Sequence, residues 1–273
     1  MRKKQIITII LSLFLFLIIK NNSLIKDAVS SSITIWIKNI VPSILPMYLV
    51  IDLIINYGDF IFKKNYLFLI LNSMLLGSPS NAKYIKEFYE NKKIDLETAN
   101  FLLLFSYSPN PLFLINICPK KIDAYLILLF IYISNFLLYL LFRKRFKIKD
   151  LTNNNITSIS FSKCISNSIF KTYNILILIL GIITFYMIII NLLNIYLKDA
   201  FIINIFLEIT NGIIVSLNKK NYFKYLLLIV SFGGFSIHSQ IKSILEDTPI
   251  NYNYFLFGRL FTSLISLIFF MFY

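Results

Sequence analysis

Three ionisable residues, Asp52, Glu208 and Arg259, stand inside long apolar runs. In lipid such groups are costly and turn towards a cavity or one another, so they mark a polar path, and Arg259 and Glu208 are candidates to pair. Two glycine breaks add polar groups at the same depth. In Gly77-Ser78-Pro79-Ser80-Asn81-Ala82-Lys83, Gly77 and Pro79 stop one helix and Ser80 or Asn81 can start the next. Free N–H groups at such a start attract anions, and Lys83 adds a full positive charge. The plainer reading of this stretch is a surface turn with a snorkelling lysine. The second break, Gly233-Gly234-Phe235-Ser236-Ile237-His238-Ser239-Gln240, holds the single histidine of the chain. Ser236 and Gln240 share a helical face there; His238 points elsewhere if the helix is already regular. A third interruption, Ser108-Pro109-Asn110-Pro111, contributes Asn110. The chemistry is that of a binding site for a small anion, with Ser80, Asn81, Lys83, Asn110, Ser236, His238 and Gln240 as its substrate-binding residues. It is not that of an enzyme. One histidine excludes a multi-histidine metal site, and neither a nucleophile elbow nor a P-loop is present. No cofactor or metal is expected, and Cys118 and Cys164 read as ordinary thiols.

These residues need a membrane around them. The chain has 273 residues, 58% hydrophobic and only 15% charged, where a soluble domain carries about 25% charge. That excludes an ordinary soluble protein, a disordered chain and a disulfide scaffold. A helical span takes about 20 apolar residues, so the length suits an all-α, polytopic helical membrane protein with broken or re-entrant helices. The net charge of +14 does not point to nucleic acid. The lysines lie between apolar runs, where positive charge marks the cytoplasmic side, and a chain with four Arg, five Ala and much Ile, Lys, Asn, Phe and Tyr has the look of an AT-rich genome.

Met1-Arg2-Lys3-Lys4 and the run to Ile19 read as an uncleaved membrane anchor with its N-terminus inside. Ile33 to Tyr57, containing Pro42 and Pro46, is either a kinked helix or a re-entrant hairpin. Tyr66 to Leu76 is too short to cross and reads as re-entrant, which keeps Lys83–Lys93 and the Arg143–Lys149 cluster cytoplasmic. Lys83 to Lys93 is amphipathic and suits the membrane surface. Asp95 can cap a helix from Leu96 to about Leu104. Ile122 to Phe142, Ile169 to Leu197, Ala200 to Leu217 and Tyr252 to Tyr273 are further spans, with a short helix at Tyr222–Phe232 and a short amphipathic piece at Ser239–Asp247. The organisation is an N-terminal anchor and connector (1–32), a first half (33–142), a basic cytoplasmic connector (143–168) and a second half (169–273).

The halves repeat. At an offset of 156, ten of 35 positions between Leu71–Phe105 and Leu227–Phe261 are identical without a gap, including Gly77/Gly233, Ser80/Ser236, Lys86/Lys242 and Glu90/Glu246. The same offset pairs Asp52 with Glu208. Interrupted helices at matching places in two halves mark the binding site in repeat-built transporters.

The two breaks resemble motifs of the YlbJ-type sporulation integral membrane proteins. Gly77–Lys83 resembles their G-x-P-x-G-A-K motif, with Asn81 in place of the second glycine, and Gly233–Gln240 resembles G-G-x-S-[VI]-H-x-Q. Leu207-Glu208-Ile209-Thr210-Asn211-Gly212 and Ser108-Pro109-Asn110-Pro111 also fit, so the resemblance covers most of the chain from about Ile33. That group belongs to the nucleoside-recognition or Gate-domain proteins. The resemblance implies a multi-pass protein of a bacterial cell membrane, in the outer forespore membrane of an endospore former. It implies transport of a small anionic solute, dipicolinate, into the developing spore. Partners would be membrane lipid and that solute, not nucleic acid; a coupling ion, self-assembly and contact with other sporulation membrane proteins stay open. Two alternatives stand beside this: a non-transporting membrane scaffold for spore maturation, and a permease for nucleosides or other small solutes.

Overall fold

Polar groups join the apolar core of this protein while many large apolar side chains face outward. In the helix Lys121–Phe142, Ser134 and Asn135 are buried, whereas Leu129, Ile133, Phe136 and Leu141 are exposed. In Tyr252–Phe272, Arg259, Thr262 and Ser266 are buried, whereas Leu260, Leu264, Leu267 and Ile268 are exposed. Polar groups inward and apolar groups outward suit a hydrocarbon solvent.

A computed structural model describes residues 2–58, 72, 74–146, 160–197 and 201–272. All regular elements among them are helical: α1 Arg2–Lys20, α2 Asn22–Ile35, α3 Val41–Gly58, α4 Ser80–Glu90, α5 Leu96–Phe105, α6 Pro111–Ile117, α7 Lys121–Phe142, α8 Phe161–Tyr196, α9 Phe201–Leu207, α10 Ile209–Ser216, α11 Tyr222–Phe232, α12 Gly234–Leu245 and α13 Tyr252–Phe272. Four stretches are long and apolar enough to cross a bilayer: Asn22–Ile55, Lys121–Phe142, Phe161–Tyr196 and Tyr252–Met271. The chain is an all-α polytopic membrane protein.

Several elements differ from the sequence reading. The run expected from Ile33 starts at Asn22, and a π-helical turn at Trp36–Ile40 joins α2 to α3 without a hairpin. Pro42 has no N–H to donate and its ring crowds the carbonyl of Lys38; a widened turn just before it accommodates both. The division between residues 32 and 33 therefore falls inside one helix, where Ser32 returns its hydroxyl to the Ala28 carbonyl at 2.7 Å. Likewise α8 begins at Phe161 rather than Ile169, because Ser162, Lys163, Asn167 and Ser168 hide its first two turns from a hydropathy reading. The apolar run Ala200–Leu217 is broken in two at Glu208. Helix α4 begins at Ser80, and α12 begins directly after Gly233. Most of Tyr66–Leu76 and residues 147–149 lie outside the described residues, as does the re-entrant reading of the former.

Helix α8 forms a spine along α2 and α3, tied by Trp36 Nε1 to the Leu176 carbonyl at 2.8 Å and Asn191 Nδ2 to the Leu24 carbonyl at 3.3 Å. Helix α4 packs on α12, and α5 on α13. Asp95 caps α5, accepting from the Thr98 N–H at 2.8 Å.

Candidate functional site

Four chain interruptions meet. Gly77 has φ +73°, and a Cβ there would lie 2.5 Å from the Asn110 nitrogen, so the first break seats itself on the third by backbone contact. The Ser78 N–H donates to the Ser108 carbonyl at 2.9 Å. Asn81 Nδ2 donates to the Ser106 carbonyl at 2.9 Å, and Asn110 Nδ2 to the Leu76 carbonyl at 3.3 Å. Asn110 also caps α6 by accepting from the Phe113 N–H at 3.1 Å. Asn81 and Asn110 thus satisfy irregular backbone that lipid could not.

The second break is held from the segment after α5, from α7 and from α13. Gly233 has φ +91° and faces the Tyr107 hydroxyl, which donates to the Val230 carbonyl at 2.8 Å. The fully buried Arg259 guanidinium lies 3.8 Å over the Tyr107 ring. It donates to the Ser231 carbonyl at 3.4 Å and to Asn135 Oδ1 at 3.2 Å, while Asn135 Nδ2 donates to the Tyr107 carbonyl. The Arg259–Glu208 pairing does not form. Arg259 binds the C-terminal end of α11 and lies against the face of the Tyr107 ring in a cation–π contact.

Glu208 caps α10: its Oε2 accepts the Asn211 N–H at 2.7 Å, and Ser236 Oγ stands 3.4 Å from Oε1. It is completely buried. Its carboxylate, residues of the other interruptions and one face of α12 line a cavity of about 50 Å³. Ser78, Pro79, Asn110, Glu208, Thr210 and Gln240 are the lining residues that matter chemically, and Ile44, Ile179, Ile183 and Ile237 provide apolar wall. A water needs about 10–15 Å³ of such volume, so this space holds a few waters and would have to widen for an organic solute.

Of the expected solute-site residues, Gln240 and Asn110 line the cavity and Ser236 reaches it through Glu208. Ser80 is buried beside the first break, with no hydrogen-bond partner for its hydroxyl among the described residues. His238, two residues from both Ser236 and Gln240, faces another way, as helical geometry requires. Its Nε2 lies 3.1 Å from the Phe232 carbonyl and its Nδ1 2.6 Å from the Tyr252 hydroxyl. A carbonyl only accepts, so Nε2 carries the hydrogen and Nδ1 accepts from Tyr252. Lys83 is also outside the cavity. Its ammonium donates to the Lys171 carbonyl at 3.0 Å, because position 83 on α4 faces α8 rather than the break.

No known family, curated protein or solved structure matches the chain.

A second polar cluster surrounds Asp52. The carboxylate accepts from Tyr84 at 2.5 Å, from Ser168 and from Lys171 at 3.3 Å, and Lys171 also meets Glu87 at 2.7 Å. This knot joins α3, α4 and α8 away from the cavity. Sequence reading passed over Tyr107, Asn135, Thr210 and Lys171. Asn135 and Lys171 carried a usable signal, a polar or charged residue deep in an apolar run; Tyr107 carried none in a chain with 17 tyrosines.

Proposed function

We propose that this chain is a membrane transporter of two repeated halves that moves a small anionic solute through the cavity at the breaks. By its resemblance to the YlbJ-type proteins, that solute is dipicolinate and the membrane is the outer forespore membrane. One observation carries the reading: residues from all four interruptions, Ser78 and Pro79, Asn110, Glu208 and Thr210, and Gln240 after Gly233, line a single cavity. Irregular backbone at membrane depth is tolerated where it lines such a space, and paired broken helices are where repeat-built transporters bind. The repeat reading gains support from packing, since α4 touches its counterpart α12 and α5 touches α13, as across a two-fold axis.

The test is uptake of labelled dipicolinate into proteoliposomes holding the full chain. The wild type takes it up, and Gln240→Ala weakens solute affinity by about 2- to 13-fold, the worth of one ordinary hydrogen bond. Lys83→Ala, outside the cavity, leaves affinity unchanged. A wild-type protein that neither binds nor moves dipicolinate removes it as the substrate.

A further inference from the structure

Glu208 is a carboxylate without a counter-charge. It has no exposure, lines the cavity, and forms no ion pair among the described residues. The groups that could have balanced it are engaged elsewhere. On α12, His238 is tied to Phe232 and Tyr252, and Lys242 is exposed. Arg259 on α13 is held by Ser231, Asn135 and Tyr107. On α11, Lys224 lies over Phe270, Tyr222 bonds Asp123 and Tyr225 packs on Phe201. Tyr186 and Lys171 of α8 meet Ser239 and the Asp52–Glu87 pair. Lys83 of α4 donates to a carbonyl, and α6 and α9 carry no titratable side chain.

An isolated charge in such a place is far more costly than a neutral acid. The two oxygens are not equivalent. Oε2 takes the Asn211 N–H at 2.7 Å and Ser236 Oγ approaches Oε1 at a longer 3.4 Å, with the Thr210 N–H and hydroxyl also donating to the carboxylate; all four donors are neutral, so none balances its charge. Gln240, also buried, faces the same space with its amide making no hydrogen bond among the described residues.

We infer that Glu208 is a proton-binding site whose protonation couples proton movement to solute movement. This rests on the transporter reading above. The carboxylate gains one proton from the aqueous side the cavity opens to and becomes a neutral acid. Its O–H then donates into the cavity, where an anionic solute's carboxylate oxygen and the Gln240 amide complete the set. Without the proton, the carboxylate and an anionic solute would repel each other across a small space with mostly apolar walls. Leaving together on the far side, proton and solute reset the site.

Two readouts separate the inference from the reading beneath it. The first is infrared spectroscopy of the full chain in lipid at neutral pH. The carbonyl stretch of a protonated carboxylic acid is expected in the wild type, absent in Glu208→Gln, shifted in Glu208→Asp and retained in Asp52→Asn. A wild type lacking that band, or a Glu208→Gln variant keeping it, overturns the proton site without touching transport. The second is dipicolinate accumulation in proteoliposomes under an imposed pH gradient. With one proton per solute, accumulation rises up to about tenfold per pH unit, acid on the entry side. Accumulation indifferent to the gradient overturns the coupling and leaves the transporter reading standing. No uptake under any gradient, with the infrared band present and lost in Glu208→Gln, overturns the transporter reading and the coupling while the proton site stands.

Discussion

At Gly77 two demands coincide: a left-handed backbone, and contact with the Asn110 backbone closer than any side chain permits. A Gly77→Ala substitution therefore pays about 1–2 kcal/mol for the left-handed geometry alone and must also push Asn110 out of its capping position. Gly181 in α8 is the control, since a Cβ there meets nothing within 4 Å. The expected result is a clear drop in the thermal unfolding midpoint for Gly77→Ala in detergent and none for Gly181→Ala; equal midpoints would mean that the first break does not seat on Asn110. Both glycine breaks were legible in the sequence because a glycine close to a proline, or paired with a second glycine, interrupts the helix that an apolar run otherwise forms. The roles of their polar neighbours were not. Lys83 and Gln240 look equally suited to a solute, but only direction around a helix distinguishes them, and that is set by packing against α8 and α3. Arg259 shows the same limit. An acid for a partner was the electrostatic guess, whereas an aromatic face and two oxygens of separate elements serve it.

At the scale of elements, the Asp52 knot fixes α4 against α3 and α8 through Tyr84, Ser168, Lys171 and Glu87. Removing one partner of a buried pair leaves a bare charge, at a cost of about 3–5 kcal/mol when both are fully buried. Lys171 is 31% exposed at its side chain, so Lys171→Met is expected to cost less than that, and Asp52→Asn in the same chain to restore part of the loss. A double-mutant cycle on unfolding in detergent measures this coupling; strictly additive losses would show that the pair contributes nothing. Capping makes a simpler case. Asp95→Ala removes the acceptor for the Thr98 N–H and is expected to cost about 1 kcal/mol, read in the same unfolding measurement. Helix α5 was readable almost to the residue because an aspartate stood before an apolar run. Helix α10 was not, since its cap is a glutamate buried within the run Ala200–Leu217, where a hydropathy average smooths over one acid. The start of the joined helix α2–α3 was misplaced because the apolar run begins only at Ile33, after Ser30, Ser31 and Ser32, yet a serine that returns its hydroxyl to the preceding turn leaves a helix intact.

For the whole molecule, the outward apolar faces of α7 and α13 and the polar groups buried behind them distinguish lipid-facing surface from interior, and composition alone pointed to a membrane protein. The basic end of α7 predicts the orientation: a cysteine replacing Lys144 is expected to react only from the cytoplasmic side, and labelling from outside would reverse the proposed topology. The cavity sets a stricter test of function. At about 50 Å³ it is too small for an organic anion, so the proposed transport requires the four interruptions to separate, and a solute that favours one arrangement must shift its population. Thr210 reports on this directly, being buried, on the cavity wall and adjacent to Ile209, on which Gly234 packs. In a chain whose buried Cys118 and Cys164 are replaced by serine, Thr210→Cys is expected to react slowly with a small water-soluble maleimide. Saturating dipicolinate, occupying the cavity or holding it shut, is expected to slow the reaction further, whereas a nucleoside of similar size is not. If Thr210→Cys reacts at one rate with and without dipicolinate, the solute does not visit the place where the breaks meet; slowing by the nucleoside alone would assign the same cavity to a different substrate.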